Sequence, residues 1–153
     1  KNFAFKTGVR TFEAASYLKK SGADTIEVKK LFNSDIKDFI TKAEIIQNAK
    51  VINNNICLAY TKTETDNINI VIAQAADELL NIKEVEASFV LARKDDRVFI
   101  SARSLGNINV HVLMENLGGG GHRDMAGAQL DTSLEKAYEM VKDTIQTYIK
   151  EEE

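Results

Sequence analysis

The chain has 153 residues, 44% of them hydrophobic and 28% charged, with a formal net charge of −3, the balance of an ordinary globular chain holding about one domain, or one domain with part of another. Two histidines, one cysteine and no proline argue against a His-rich metal site, exclude an internal disulfide, and leave turns to Gly, Asn and Asp. No apolar run approaches the roughly 18 residues of a membrane span, the acidic balance argues against a strongly basic nucleic-acid surface, and the single cysteine fits a reducing cytoplasm, where the domain is expected.

The opening residues read as a short strand as far as Gly8. "RTFEAASYLKKSG" has helical spacing, with Thr11 as N-cap and Gly22 as stop. A second short helix is expected over 25–32. A third starts at Ser34 in "NSDIKDFITKAEIIQNAK", where Ile36, Phe39, Ile40, Ala43 and Ile46 share a face. This helix divides the chain into residues 1–33, a connector over 34–50, and a domain over 51–153.

Strand and helix then alternate. A strand is expected over 56–62, followed by a helix on Ile68, Ile72, Ala75, Ala76 and Leu79 with Asp66 as its cap. "VEASFVLARKDDRVFISARS" is a hairpin turning at "KDD", with apolar residues at every second position of both arms. "NVHVLMENLG" is a helix on Val110, Leu113, Met114 and Leu117, closed by Gly118, and "MAGAQLD" is the last strand. "TSLE" is a capping box from Thr132 to Glu135, opening a helix that turns Leu134, Ala137, Tyr138, Val141 and Ile145 inward. The pattern predicts an α/β or α+β sheet domain.

Chemistry concentrates in "NLGGGGHRDMAGAQL", which holds five of the eight glycines. Gly118 is explained as a helix stop. Gly119, Gly120 and Gly121 would let several N–H groups converge on one anion, with His122 adding a side-chain donor. A merely flexible loop is the competing reading. On the strand "RVFISARS", Ser101 and Arg103 project from one face, roughly 7 Å apart. A guanidinium beside a hydroxyl suits a phosphate; pairing of Arg103 with a surface carboxylate is the alternative. Ser104 adds a hydroxyl for a ligand or for the turn. His111 lies off its helix stripe and is expected in solvent, and Cys57 is expected buried and inert. No spacing defines a catalytic or metal-ligating set.

"GGGGHRDMAG" resembles the GGGHxxAAG signature of the DHH phosphoesterase superfamily, and "SARS" resembles the SxRS strand motif that precedes it. "KNFAFKTGVRTFEAASYLKKSGAD" resembles the tail of the catalytic DHH domain in GdpP-type cyclic-di-AMP phosphodiesterases, so the resemblance spans essentially the whole chain. Met125 departs from the signature, which usually has alanine there. The resemblance implies a DHH-associated domain, with a mixed central sheet flanked by helices, preceded by a remnant of the catalytic domain. It assigns Ser101 and Arg103 to the substrate-binding strand motif, Gly119, Gly120, Gly121 and His122 to the glycine signature, and Gly127 to its closing glycine.

Such a domain grips a cyclic or linear dinucleotide over a dinuclear manganese site held by the upstream catalytic domain of a membrane-anchored parent. The DHH motif is absent from this sequence, and the last metal-binding aspartate of such enzymes lies just before a segment like "KNF". The expectation is therefore a substrate-binding portion, inactive alone, with manganese only in the intact enzyme. Two other readings stand beside it. One is a module for RNA or short oligonucleotides, related to nanoRNases or to the C-terminal domain of alanyl-tRNA synthetases; the acidic balance counts against long nucleic acid. The other is a homodimerising domain using the C-terminal helix, which leaves Arg103 and the glycine row unexplained.

Overall fold

Two units divide the chain, Lys1–Asp35 and Ile36–Glu153; the computed structural model describes residues 7–53 and 55–152. The first unit holds α1 (Val9–Lys20) and α2 (Thr25–Lys30). α1 starts before Thr11: Gly8 is its extended N-cap, and the Gly8 carbonyl accepts from the Thr11 N–H at 3.0 Å. Its far end reverses at Gly22, φ +95°, a conformation that glycine adopts without a Cβ penalty. Asp24 caps α2 by accepting from the Ile26 N–H at 2.7 Å. The strand expected at the start falls mostly on residues 1–6, outside those described, and Val9 already belongs to α1.

The second unit contains α3 (Ile36–Gln47), β1 (Lys50–Ile52), β2 (Ile56–Thr61), α4 (Ile68–Leu79), β3 (Ala87–Lys94), β4 (Arg97–Ser104), α5 (Val110–Glu115), β5 (Gly120–His122), β6 (Met125–Leu130) and α6 (Leu134–Glu152). The strands form one sheet in the order β1-β2-β3-β4-β6-β5. β2 and β3 run parallel, joined through α4, and every other pair is antiparallel. This is the mixed, helix-flanked sheet expected. Two strands, β1 and β5, are additions to the elements read from sequence. The β3–β4 hairpin turns at Asp95 and Asp96, with Asp95 at φ +54°, as a two-residue turn between twisted strands demands.

Period-two alternation sorts the strand residues into two cores. Leu58, Phe89, Ile100 and Ala126 face α5 and α6, where Leu113, Met114, Val141 and Ile145 complete the packing. Cys57, Ala59, Val90 and Ala92 face the other way, against Ile45 of α3 and Ile72 and Ala76 of α4. Ser88 also lies buried on that side, its hydroxyl donating to the Ala76 carbonyl at 2.7 Å. Each buried methylene contributes roughly 0.8 kcal/mol, so these two layers hold the sheet and set where its faces can be reached.

Several local expectations shift. The stripe assigned to α3 is largely exposed at Ile36, Phe39, Ile40 and Ala43; Thr41 and Ile45 are the buried residues. Asn67, rather than Asp66, is the N-cap of α4, and its carboxamide donates to Asp38 at 2.9 Å instead of capping. The capping box at Thr132 does not form: the Ser133 hydroxyl accepts from the Lys136 N–H at 3.2 Å, and Glu135 pairs with Lys62 at 3.0 Å. Tyr138 is half-buried, packing edge-on against Tyr60. Among the described residues, no helix is long and apolar enough to cross a membrane.

Candidate functional site

Strand register assembles the site. Directly opposed residues of antiparallel strands project to the same face. Ser101 of β4 pairs with Gly127 of β6, and Gly127 pairs with Gly120 of β5. Arg103 pairs with Met125, and Met125 with His122. Two parallel rows thus cross three strands: Ser101–Gly127–Gly120, almost without side chains, and Arg103–Met125–His122, bordering it. On this face α3 and α4 pack on β2, β3 and β4, whereas β5 and β6 present Gly120 and Gly127 half-exposed and His122, Met125 and Gln129 exposed. Beside these rows lies a cleft of about 510 Å³, lined by Asn69 and Ile72 of α4, Phe99, Ile100 and Ser101 of β4, Gly118 and Gly119, and Ala126 to Gln129 of β6.

Arg103 is held firmly. Its Nε donates to Asp77 Oδ1 at 2.8 Å, and one terminal nitrogen donates to the Ser101 hydroxyl at 3.0 Å and to the Ala102 carbonyl at 2.9 Å. The side chain is 13% exposed, against 64% for Asp77. Pairing with a surface carboxylate, the alternative read from sequence, is present in the structure, and the Ser101 hydroxyl stands beside it. A guanidinium has five N–H donors; three are engaged here, and the second terminal nitrogen has no partner among the described residues. Ser101, accepting from Arg103, keeps its own O–H to donate. Asp77 thus fixes the fork while leaving its outer edge able to meet an anion.

Of the glycine row, Gly120 and Gly121 lie in the edge strand β5 and Gly118 and Gly119 precede it, and its members differ. Gly118, at φ +76°, turns the chain out of α5, and the Gly119 N–H closes on the Met114 carbonyl at 2.8 Å. A Cβ on Gly119 would overlap the Gly127 carbonyl oxygen and approach the Ala128 Cβ to 2.6 Å. One on Gly121 would come within 2.5 Å of Ala126 Cα and the Met125 carbonyl oxygen. Both positions are bare because the chain here lies close on β6. Gly127 is bare for a similar reason, facing the Ile100 carbonyl oxygen at 2.8 Å. Gly120 alone in the strand meets nothing within 4 Å. Packing explains its neighbours; at Gly120 it imposes nothing.

Other candidates sit elsewhere. Ser104 projects to the opposite face, fully buried, and its hydroxyl accepts from the Gly106 N–H at 2.9 Å. Of its two expected roles the structure shows the turn. His111, expected in solvent, is half-buried: its Nε2 lies 3.7 Å from Glu115, and its Nδ1 is buried without a hydrogen-bond partner. Cys57 is buried, and burial pushes its thiol pKa up. Among the described residues no group of three His, Cys, Asp or Glu side chains is placed to hold a metal ion, so the residues present do not fit a dinuclear centre. Sequence reasoning missed Asp77, Asn69 and Gln129. No spacing rule connects α4 to β4, and only the crossover brings them together.

The fold and the cleft define a mixed-sheet α/β domain that presents an arginine and bare main chain on one open face. The chain belongs to the DHHA1 domain family, which it matches over residues 53–151. It is 44% identical over 154 aligned residues to the cyclic-di-AMP phosphodiesterase GdpP of Bacillus subtilis (strain 168), with 98% of this chain covered. It is 41% identical, with 99% covered, to the cyclic-di-AMP phosphodiesterase PdeA of Listeria monocytogenes serotype 1/2a. The chain spans 23% of the length of each of these relatives. An exopolyphosphatase-related protein from Bacteroides fragilis superposes with a TM-score of 0.79 over 93% of this chain and 44% of its own, at 21% identity. That likeness is one of fold.

Proposed function

We propose that this chain is the substrate-gripping portion of a cyclic-di-AMP phosphodiesterase and holds a cyclic or linear dinucleotide by its phosphate. The observation that carries the reading is the register of the two rows. Ser101, Gly127 and Gly120 leave a floor where a phosphate can approach the main chain, and Arg103 and His122 border it with donors. Met125 lies between those two donors, where the related signature has alanine, and narrows that border. The relatives from Bacillus subtilis and Listeria monocytogenes are phosphodiesterases of this nucleotide, which supports the choice of ligand. The reading leaves manganese-dependent hydrolysis to pApA, and every metal ligand, to the upstream catalytic domain of the whole protein.

The test is titration of the chain with cyclic-di-AMP and pApA. Arg103→Ala removes a charge-assisted contact worth about 1.5–3 kcal/mol and should weaken binding about ten- to hundredfold. Gly120→Val places a branched side chain over the floor and should abolish binding while the fold persists, since nothing stands within 4 Å of that Cβ. His122→Ala should weaken binding without blocking it. A Gly120→Val variant that binds as wild type would refute the cradle.

A further inference from the structure

The cleft extends past Ser101 to a different chemistry. Phe99 pairs with Gln129, two residues along from the Ser101–Gly127 pair, so ring and carboxamide project side by side from one face. Asn69 of α4 lines the same cleft. Of the lining residues, only Asn69, Ser101 and Gln129 have polar side chains. The two carboxamides are exposed, and neither has a hydrogen-bond partner among the described residues. Phe99 is half-buried, packed at the edge of the α4-side core, and Ile72 lies in the same lining.

The face is therefore graded. Arg103 stands at one end, the Ser101 hydroxyl and bare Gly127 in the middle, and an aromatic ring with two carboxamides at the other. Strand rise places Phe99 about 13 Å along β4 from Arg103. A nucleotide has the same order of parts, from an anionic phosphate through a sugar to a flat, hydrogen-bonding base. We propose that Asn69 and Gln129 read the base and select adenine over guanine; the assignment rests on the nucleotide reading above. A carboxamide offers a carbonyl acceptor beside an N–H donor. Adenine answers with an amino donor beside a ring-nitrogen acceptor, whereas guanine shows two acceptors on the corresponding edge, which suit Arg or Lys. No Arg or Lys side chain is in the cleft lining, so the two-acceptor edge of guanine finds no matching pair of donors there. Phe99 supplies apolar surface to either base and does not discriminate.

The experiment titrates the 153-residue chain with two linear dinucleotides, pApA and pGpG, comparing wild type, Asn69→Ala, Gln129→Ala, the double variant and Arg103→Ala. Wild type should prefer pApA by roughly tenfold or more. Each amide variant should narrow that ratio, and the double variant should bring it close to one by weakening pApA alone. Arg103→Ala should weaken both ligands equally and keep the ratio. Thermal melts should be unchanged in the amide variants, because both side chains are exposed. A double variant that keeps the wild-type ratio overturns the assignment while leaving phosphate binding intact, as does a wild type that binds the two ligands equally. A wild type that binds neither overturns the nucleotide reading itself, and this assignment with it.

Discussion

Adding one methyl group at Gly119 or at its neighbour Gly120 should move stability in opposite directions. A Cβ on Gly119 would overlap the Gly127 carbonyl oxygen and stand 2.6 and 2.7 Å from Ala128 Cβ and Cα. Ordinary carbon contacts lie at about 3.5–4.0 Å, so β5 would have to back away by about 1 Å. All three obstacles are main chain or a methyl fixed to it, and none can rotate aside. Overpacking typically costs about 1–3 kcal/mol; immovable neighbours put this case near about 3 kcal/mol. Reduced freedom of the unfolded chain returns about 0.4–1 kcal/mol. The net loss is about 2 kcal/mol, or about 4–8 °C in Tm for a chain of this size. At Gly120 nothing lies within 4 Å and φ is not positive, so Gly120→Ala keeps only the gain and should melt at or slightly above wild type. Thermal unfolding followed by circular dichroism reads both. A Gly119→Ala variant melting within about 1 °C of wild type, or a Gly120→Ala variant falling as far as Gly119→Ala, would refute the division of the glycine row into packed and open positions.

Two further outcomes concern ionisable groups. The Glu135 carboxyl is held below the ordinary carboxylate range by its own backbone N–H and then by the Lys62 ammonium, while that pair raises Lys62. With a depressed folded pKa, the Glu135 contribution is present above the unfolded value and lost as pH falls through the folded one; Lys62, raised, contributes below its unfolded value and loses it as pH rises through the folded one. NMR titration should show the Glu135 midpoint moving up in Lys62→Ala, yet not fully, since the backbone contact stays; an unmoved midpoint contradicts the pairing. Cys57, with a buried thiol whose pKa is raised by burial, should react with a thiol reagent at pH 8 far more slowly in the native chain than in denaturant. Equal rates would place the thiol at the surface.

Residue pattern carried the second unit a long way. The β3–β4 hairpin was legible because alternation persists along both arms and "KDD" sits where a turn must be. The shared face of Ser101 and Arg103 followed from the same alternation, and the 3.0 Å contact between them is its local consequence. β1 and β5 were not legible: each has three residues, too few for a period, and "GGH" has almost no side chains to alternate. Caps slipped by one residue at Asn67 and Ser133, where neighbouring polar residues compete for the same N–H groups, and by three at Gly8. The α3 stripe misled because apolar spacing shows that a helix has a face, not which element covers it. Asn69 joined the cleft and Asp77 met Arg103 only when α4 packed on β4, a long-range event that no local signal encodes.

The place of β5 in the sheet also has a kinetic side. β3 lies between β2 and β4, and its residues from Ala87 to Ala92 are all buried. β5 is three residues at one edge of the sheet, paired on one side alone and partly open to water. Opening free energies rise from such margins toward the fully packed centre. The strand that carries Gly120 and His122 can therefore part from β6 and close again while β2, β3 and β4 stay zipped. β5 stands where a sheet unzips readily, so loosening it does not require the domain to unfold.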